Sequence, residues 1–204
     1  YQATSLPTVV VLAEDGTFVV GHAAERRGAA APERLVRELK RRVGDPTPIQ
    51  LGGTPVAVDR LLAEVLAHVR QQVTEAEGGE PAGTVVTHPA TWGGHRRDAL
   101  THAIDLAGLG PATLLPEPVA AANWYASTQR LEPGATVAIY DLGGGTFDAA
   151  VLAMEADGRF AVRGRPEGLD HLGGIDVDAL VLAHVLRTAG IAEDDLDPDD
   201  EAHL

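Results

Sequence analysis

Cysteine is missing from all 204 residues, so no disulfide can staple this fold, and the absence fits a reducing cytoplasm. Aromatic side chains are scarce, at 4% of the chain. A core must therefore be assembled from many small contacts among Ala, Val and Leu. No run of eighteen apolar residues occurs, which excludes a membrane-spanning helix, and no charged, apolar, small-residue leader opens the chain. The first residue is Tyr1 rather than Met, inside what reads as an extended segment, so the expectation is a chain cut from a longer protein.

Positive charge is also in short supply. Lys and Arg total 16 against 30 Asp and Glu, a formal net charge of −14. That balance argues against a general nucleic-acid partner, because phosphate backbones need clustered cations. Much of the acidity crowds into Glu193, Asp194, Asp195, Asp197, Asp199, Asp200 and Glu201, which read as a solvated loop without the glycine spacing of a calcium site. What is present in ordinary measure is apolar content, 45%, enough for one large domain or two small ones.

Thr8 to Ala13 and Thr17 to Gly21 are β-branched runs around Asp15-Gly16, a hairpin signal. Helices are expected over His22 to Ala31 and Glu33 to Val43, divided by Pro32, then a loop or short hairpin over Gly44 to Pro55. Leu61, Leu62, Val65, Leu66 and Val69 fall at helical spacing within Val58 to Glu77. Gly78, Gly79, Pro81 and Gly83 end that helix and mark a subdomain boundary. Beyond it the pattern alternates. A buried strand over Thr84 to Thr87, a helix over Gly94 to Leu106, a strand over Thr113 to Leu115 and a helix over Val119 to Arg130 predict an α/β sheet with both faces covered. Strands over Val137 to Tyr140, Phe147 to Met154 and Phe160 to Arg163 and a last helix over Val177 to Ala189 complete the pattern. His88, His95, His102 and His171 show no metal-ligand spacing and read as surface or capping residues.

The chemistry concentrates in Asp141-Leu142-Gly143-Gly144-Gly145-Thr146-Phe147-Asp148, at the turn between two strands. Three glycines in a row remove every side chain, so backbone N–H groups can approach and hydrogen-bond a phosphate. An Asp ending the incoming strand can hold hydrated Mg²⁺ through water, and the Thr hydroxyl can reach a terminal phosphate. The string is neither a Walker loop, since no Gly-x4-Gly-Lys-Ser/Thr is present, nor a dinucleotide fingerprint, since a strand rather than a helix follows.

The string resembles the second phosphate motif of the 70-kDa heat-shock chaperones, the DnaK-type members of the actin and sugar-kinase superfamily. Leu6-Pro7-Thr8-Val9-Val10 and Val20-Gly21-His22-Ala23-Ala24 are similar to the start of that family's subdomain IB. Pro116-Glu117-Pro118-Val119-Ala120-Ala121-Ala122 is similar to its Asn-Glu-Pro-Thr-Ala-Ala-Ala segment, and Asp170-His171-Leu172-Gly173-Gly174 to its Thr-His-Leu-Gly-Gly segment. The resemblance implies an α/β actin-like (ribonuclease H-like) ATPase fold, present incompletely. Residues 1–82 would hold the end of a subdomain IA strand and a shortened IB, residues 83–134 IA, and residues 135–204 part of IIA.

The resemblance also implies roles. Lys40, the only lysine, matches the catalytic lysine near the γ-phosphate and attacking water, though by itself it could be a solvated helix charge. Glu117 matches the glutamate that positions that water, or else serves only as a helix-dipole partner. Asp141 matches the Mg²⁺-water aspartate and Thr146 the γ-phosphate hydroxyl. Gly143, Gly144 and Gly145 form the phosphate loop; Gly173 and Gly174 match backbone glycines near ribose and phosphate, or are plain helix-entry glycines. Pro89 and Arg97 match an interdomain relay, Arg97 being equally readable as a solvent-facing arginine. The implied cofactors are ATP or ADP and Mg²⁺. The implied partners are client polypeptides bound through a further C-terminal domain, a J-domain co-chaperone and a nucleotide exchange factor. Two departures stand out. The stretch from Lys40 to Pro89 is short for the family, which trims the lobe an exchange factor would use, and Ala90-Thr91-Trp92 replaces Ala-Tyr-Phe. With the family's first phosphate motif absent from this sequence, the piece alone is expected to be inactive. Two other readings remain: an actin-like filament protein, and a nucleotide-regulated binding module without hydrolysis.

Overall fold

The computed structural model describes residues 5–191, so the acidic run at 193–201 lies outside the described residues. Strands β1 (Val10–Leu12) and β2 (Phe18–Val20) pair antiparallel, Val10 opposite Val20. Asp15 sets the turn between them, its carboxylate accepting the Thr17 N–H at 2.9 Å and the Thr17 hydroxyl at 2.6 Å. Helix α1 (His22–Gly28) follows.

The next segment departs from expectation. Instead of a helix over 33–43, the chain forms a 3-10 turn (Pro32–Arg34), a two-residue strand β3 (Leu35–Val36) and a second 3-10 turn (Leu39–Arg42). Local helix propensity lost to tertiary pairing: β1 has a second edge, and β3 takes it with Val10 opposite Val36, burying Val36 to 7% exposure. Glu38 then turns the chain with φ 54°, a left-handed conformation that a helix cannot contain.

A short hairpin, β4 (Ile49–Leu51) with β5 (Thr54–Val56), leads into helix α2 (Val58–Glu77), which ends at left-handed Gly78. The inward stripe of α2 carries Val58, Leu61 and Val65 against Val10, Val36, Leu39 and Leu51. Each fully buried leucine there contributes about 2 kcal/mol of transfer free energy. This core is what holds the 3-10 turn at Leu39–Arg42 in place, since Leu39 is completely buried.

Strand β6 (Thr84–His88), helix α3 (Gly94–Leu106) and strand β7 (Ala112–Pro116) make one βαβ unit with β6 and β7 parallel. The expected sheet covered on both faces is not what forms. The described residues make four small sheets, and Val85 is 61% exposed while Val86 packs inward with Trp92, Leu100 and Ile104. A run of apolar β-branched residues fits a half-covered strand as well as a buried one, which is why the sequence misled. Helix α4 (Glu117–Thr128) then crosses onto an antiparallel meander of β8 (Thr136–Leu142), β9 (Phe147–Met154) and β10 (Phe160–Leu169), order β10-β9-β8. A register shift between Arg163 and Glu167 carries β10 six residues past its expected end at Arg163. Helix α5 (Gly174–Ala189) closes the described chain.

Candidate functional site

The bend between β8 and β9 sits in a cavity of about 500 Å³, lined among others by Thr8, Val9, Glu38, Lys40, Gly144 and Thr146. Gly143 donates its N–H to the Thr146 carbonyl at 2.9 Å, closing the bend, and Asp141 and Asp148 stand directly opposite each other on the two strands. None of the three glycines needs a left-handed φ. Their value here is the missing side chain: at Gly144 a Cβ would meet nothing within 4 Å, so that backbone faces open space. Gly173 is different. A Cβ there would stand 2.5 Å from the Gly144 carbonyl oxygen and the Gly145 nitrogen, so only glycine lets the start of α5 lie on the bend.

Two bonds fix that contact. The Gly174 N–H donates to the Gly143 carbonyl at 3.0 Å, and the Ile175 N–H to the Gly144 carbonyl at 2.9 Å. The bend's carbonyls are thereby drawn towards α5. Among the described residues, the N–H groups of Gly144 and Gly145 have no backbone or side-chain acceptor. Unpaired donors on a bare backbone, in a cleft, are what an anion site requires.

The cationic side of the cleft comes from the Leu39–Arg42 turn. Lys40 extends its Nζ to both carboxylate oxygens of Glu117, at 3.0 and 3.2 Å. Glu117 occupies the first turn of α4, immediately after β7, where the helix N-terminus favours a negative charge. Arg41, next to Lys40, is only 11% exposed and grips three groups. Its Nε donates to the Gly145 carbonyl at 2.8 Å, while the guanidinium pairs with Asp176 of α5 at 2.5 Å and with Glu38 at 2.7 Å. The Arg41 hydrogen bond holds the Asp176 carboxyl below its ordinary range.

Sequence reasoning gave no role of their own to Asp148, Asp170, Arg41 or Arg96, although Asp148 and Asp170 lie within the strings it drew on. Asp148 is 6% exposed and its Oδ1 has no hydrogen-bond partner. Burial pushes its carboxyl up, the negative charge of Glu117 adds to this, Lys40 opposes it, and Asp141 and Asp170 add further. Those five side chains therefore share one electrostatic neighbourhood. A signal was available: β9 alternates, with Asp148, Ala150, Leu152 and Met154 on its buried side, and a carboxylate has no reason to sit on a core face unless it serves a site.

Pro89 is fully buried beyond the end of β6, and its carbonyl accepts the Trp92 N–H at 3.1 Å. Arg97 bonds only locally among the described residues, its guanidinium donating to the Trp92 carbonyl at 3.3 Å. The expectation of surface or capping histidines fails at His88, which is 4% exposed, bonded through Nδ1 to the Pro89 carbonyl at 2.8 Å and stacked 6.3 Å from Trp92. It occupies an inward position of β6, so the same alternation that buries Val86 buries it. His95 meets the Gly44 carbonyl at 2.7 Å, and His102 pairs with Asp59 at 2.6 Å.

Comparison with known proteins bears directly on this cleft. A family model described as "Hsp70 protein" matches residues 47–203. The chain is 36% identical over 217 residues to the "Chaperone protein HscA homolog" of Burkholderia thailandensis, covering 96% of this chain and 34% of that protein. The "Chaperone protein HscA homolog" of Azotobacter vinelandii is likewise 36% identical, over 226 residues, covering 98% of this chain and 35% of the relative. The Burkholderia pseudomallei protein of the same description is 35% identical over 217 residues, 96% and 34% of the two chains. The chain belongs to the Hsp70 family. It is a piece of an Hsp70-type nucleotide-binding domain, of the actin-like ATPase fold, and spans about a third of the length of these curated relatives.

The nucleotide that Hsp70 proteins bind suits the groups present. Free N–H donors at Gly144 and Gly145 and the ammonium of Lys40 match phosphate oxygens. Asp141 and the orphaned Oδ1 of Asp148 match the water shell of a hydrated cation. Among the described residues no three His, Asp or Glu side chains converge as direct metal ligands, and no helix is long and apolar enough to cross a membrane.

Proposed function

We propose that this chain is the phosphate-handling part of an Hsp70-type ATPase, in which ATP state controls a polypeptide-binding domain carried elsewhere in the protein. The observation that carries the reading is the bare Gly143–Gly145 bend with free N–H groups in a cleft, faced by the single lysine of the chain.

In this reading the N–H groups of Gly144 and Gly145 and the Thr146 hydroxyl hold the terminal phosphates, and Gly173 and Gly174 keep the backbone of α5 close to them. Lys40 offsets the charge that develops on the transferred phosphoryl group, and Glu117 orients the attacking water. Asp141 and Asp148 would hold a hydrated Mg²⁺ through its water shell. The bound cation supplies charge neutralisation on the phosphates. The Lys40–Glu117 pair is half exposed and worth less than about 1 kcal/mol, so little opposes its opening when a phosphate competes for the ammonium. Pro89, buried just beyond the end of β6, and Arg97 form the relay towards the partner domain. Client polypeptides, a J-domain co-chaperone and a nucleotide exchange factor are the partners, in a cytoplasmic setting. The short 40–89 stretch trims the lobe that an exchange factor would use.

The test uses the longer protein that contains this chain. Wild type hydrolyses ATP, and Lys40→Ala lowers kcat by at least about 100-fold, the scale of losing one positioned charge in a catalytic site. Equal turnover in the two proteins contradicts the assignment, and absence of turnover in both leaves a nucleotide-regulated module instead. The 204-residue chain alone binds ATP more weakly than micromolar by calorimetry and does not turn it over.

A further inference from the structure

Arg96 lies one residue before the arginine that the family pattern points to, and it reaches from α3 to the turn that leads into α5. Its Nη1 donates to Asp170 at 2.8 Å, in the turn between β10 and α5. On the way its guanidinium sits 5.7 Å over the ring of Trp92, which is 6% exposed and packed with Val43, Leu100 and Ile104. Asp170 stands three residues before Gly173, the glycine on which the phosphate bend rests, and four before Gly174, whose N–H holds the Gly143 carbonyl. Asp170 replaces the threonine of the family segment that this stretch otherwise matches.

We propose that Arg96 is a positioning residue for the phosphate bend, acting through Asp170: α3 fixes the turn at 170–173, and that turn fixes the backbone bonds between α5 and Gly143–Gly144. The proposal rests on the reading of the bend as the phosphate loop. Two features support a latch rather than an incidental surface pair. The guanidinium is backed by a buried indole, so the core constrains one side of it. It joins elements 74 residues apart in sequence that share no strand pairing. Together with Arg41, which grips Gly145 and Asp176, it places the α5 start between two arginines from outside the meander.

The experiment is hydrogen exchange by NMR on the nucleotide-free 204-residue chain, read at the Gly174 and Ile175 amides. Arg96→Gln and Asp170→Asn should each speed exchange at both amides about fivefold, and the double variant should be no faster than either single one. In a Trp124→Phe background Arg96→Gln should also shift Trp92 emission, because the cation over the ring is lost. The urea midpoint should stay close to wild type, as the pair is partly exposed. Unchanged exchange at Gly174 and Ile175, or effects of the two variants that multiply, would overturn the latch. So would faster exchange spread through α3 and β6 together with a lower midpoint, which is general loosening. Because no nucleotide is present, failure here is separate from failure of the phosphate reading, which is scored by whether ATP shifts the Gly144 and Gly145 amides.

Discussion

Asp148 brings a carboxylate into a site where it is 6% exposed and one oxygen has no partner. Its carboxyl is pushed up, first by burial and then by Glu117. The folded chain therefore keeps a proton there at pH values where the unfolded chain has lost it. Stability falls as pH rises from the ordinary carboxylate range through the raised value, and the penalty stands in full above it. Asp148→Asn should stabilise the nucleotide-free chain at pH 7 by on the order of 1 kcal/mol and leave it unchanged below about pH 3, measured by urea unfolding at both pH values. A less stable variant at neutral pH would mean that the carboxylate is satisfied by a group other than protein. The glycines separate in the same way. Gly173→Ala should cost about 2 kcal/mol, because the new methyl meets backbone atoms at 2.5 Å that cannot swing aside. Gly144→Ala should cost less than about 1 kcal/mol in unfolding yet weaken ATP binding in the longer protein, since its methyl enters only open cleft. Equal unfolding costs for the two would remove the argument for a bare cleft wall.

At the scale of elements, α2 and α3 were legible to the residue because each is long, periodic and bounded by Gly. The hairpin at Asp15-Gly16 was legible from turn chemistry, and the meander from its two flanking turns. The segment 33–43 was not. Nothing local in Leu35-Val36 announces that β1 has a free edge, and a left-handed Glu38 has no sequence mark, so strong helix formers read as a helix. The consequence is functional, because Lys40 and Arg41 point into the cleft from a tight turn rather than along a helix face. That turn depends on the α2 core through Leu39. Leu61→Ala, at a fully buried position in the same cluster, should cost about 3 kcal/mol in unfolding and should also disturb the Lys40 turn, seen as altered Arg41 and Lys40 side-chain signals in NMR spectra. Destabilisation with those signals intact would show the turn to be self-supporting.

Over the whole molecule, the cleft is built from groups far apart in sequence. Lys40 reaches Glu117 across 77 residues, Arg41 reaches Gly145 across 104 and Asp176 across 135. The glycine bend, Lys40, Glu117, Asp141 and Thr146 could be named from the sequence because each lies in a string with a recognisable pattern. The cross-cleft arginines could not, since an ion pair between distant residues leaves no local trace, and 16 cations among 30 anions offer many partners. Family membership weighs for the chaperone-type reading over the filament reading, whereas hydrolysis, clients and co-chaperones belong to the longer protein.

The most direct test of the central claim is a titration of the ¹⁵N-labelled 204-residue chain with ATP and Mg²⁺ into the millimolar range, followed amide by amide. The account predicts that Gly144, Gly145 and Thr146 shift together and first, even where affinity is too weak for calorimetry. Shifts confined to other surfaces, with those three amides unmoved, would contradict it.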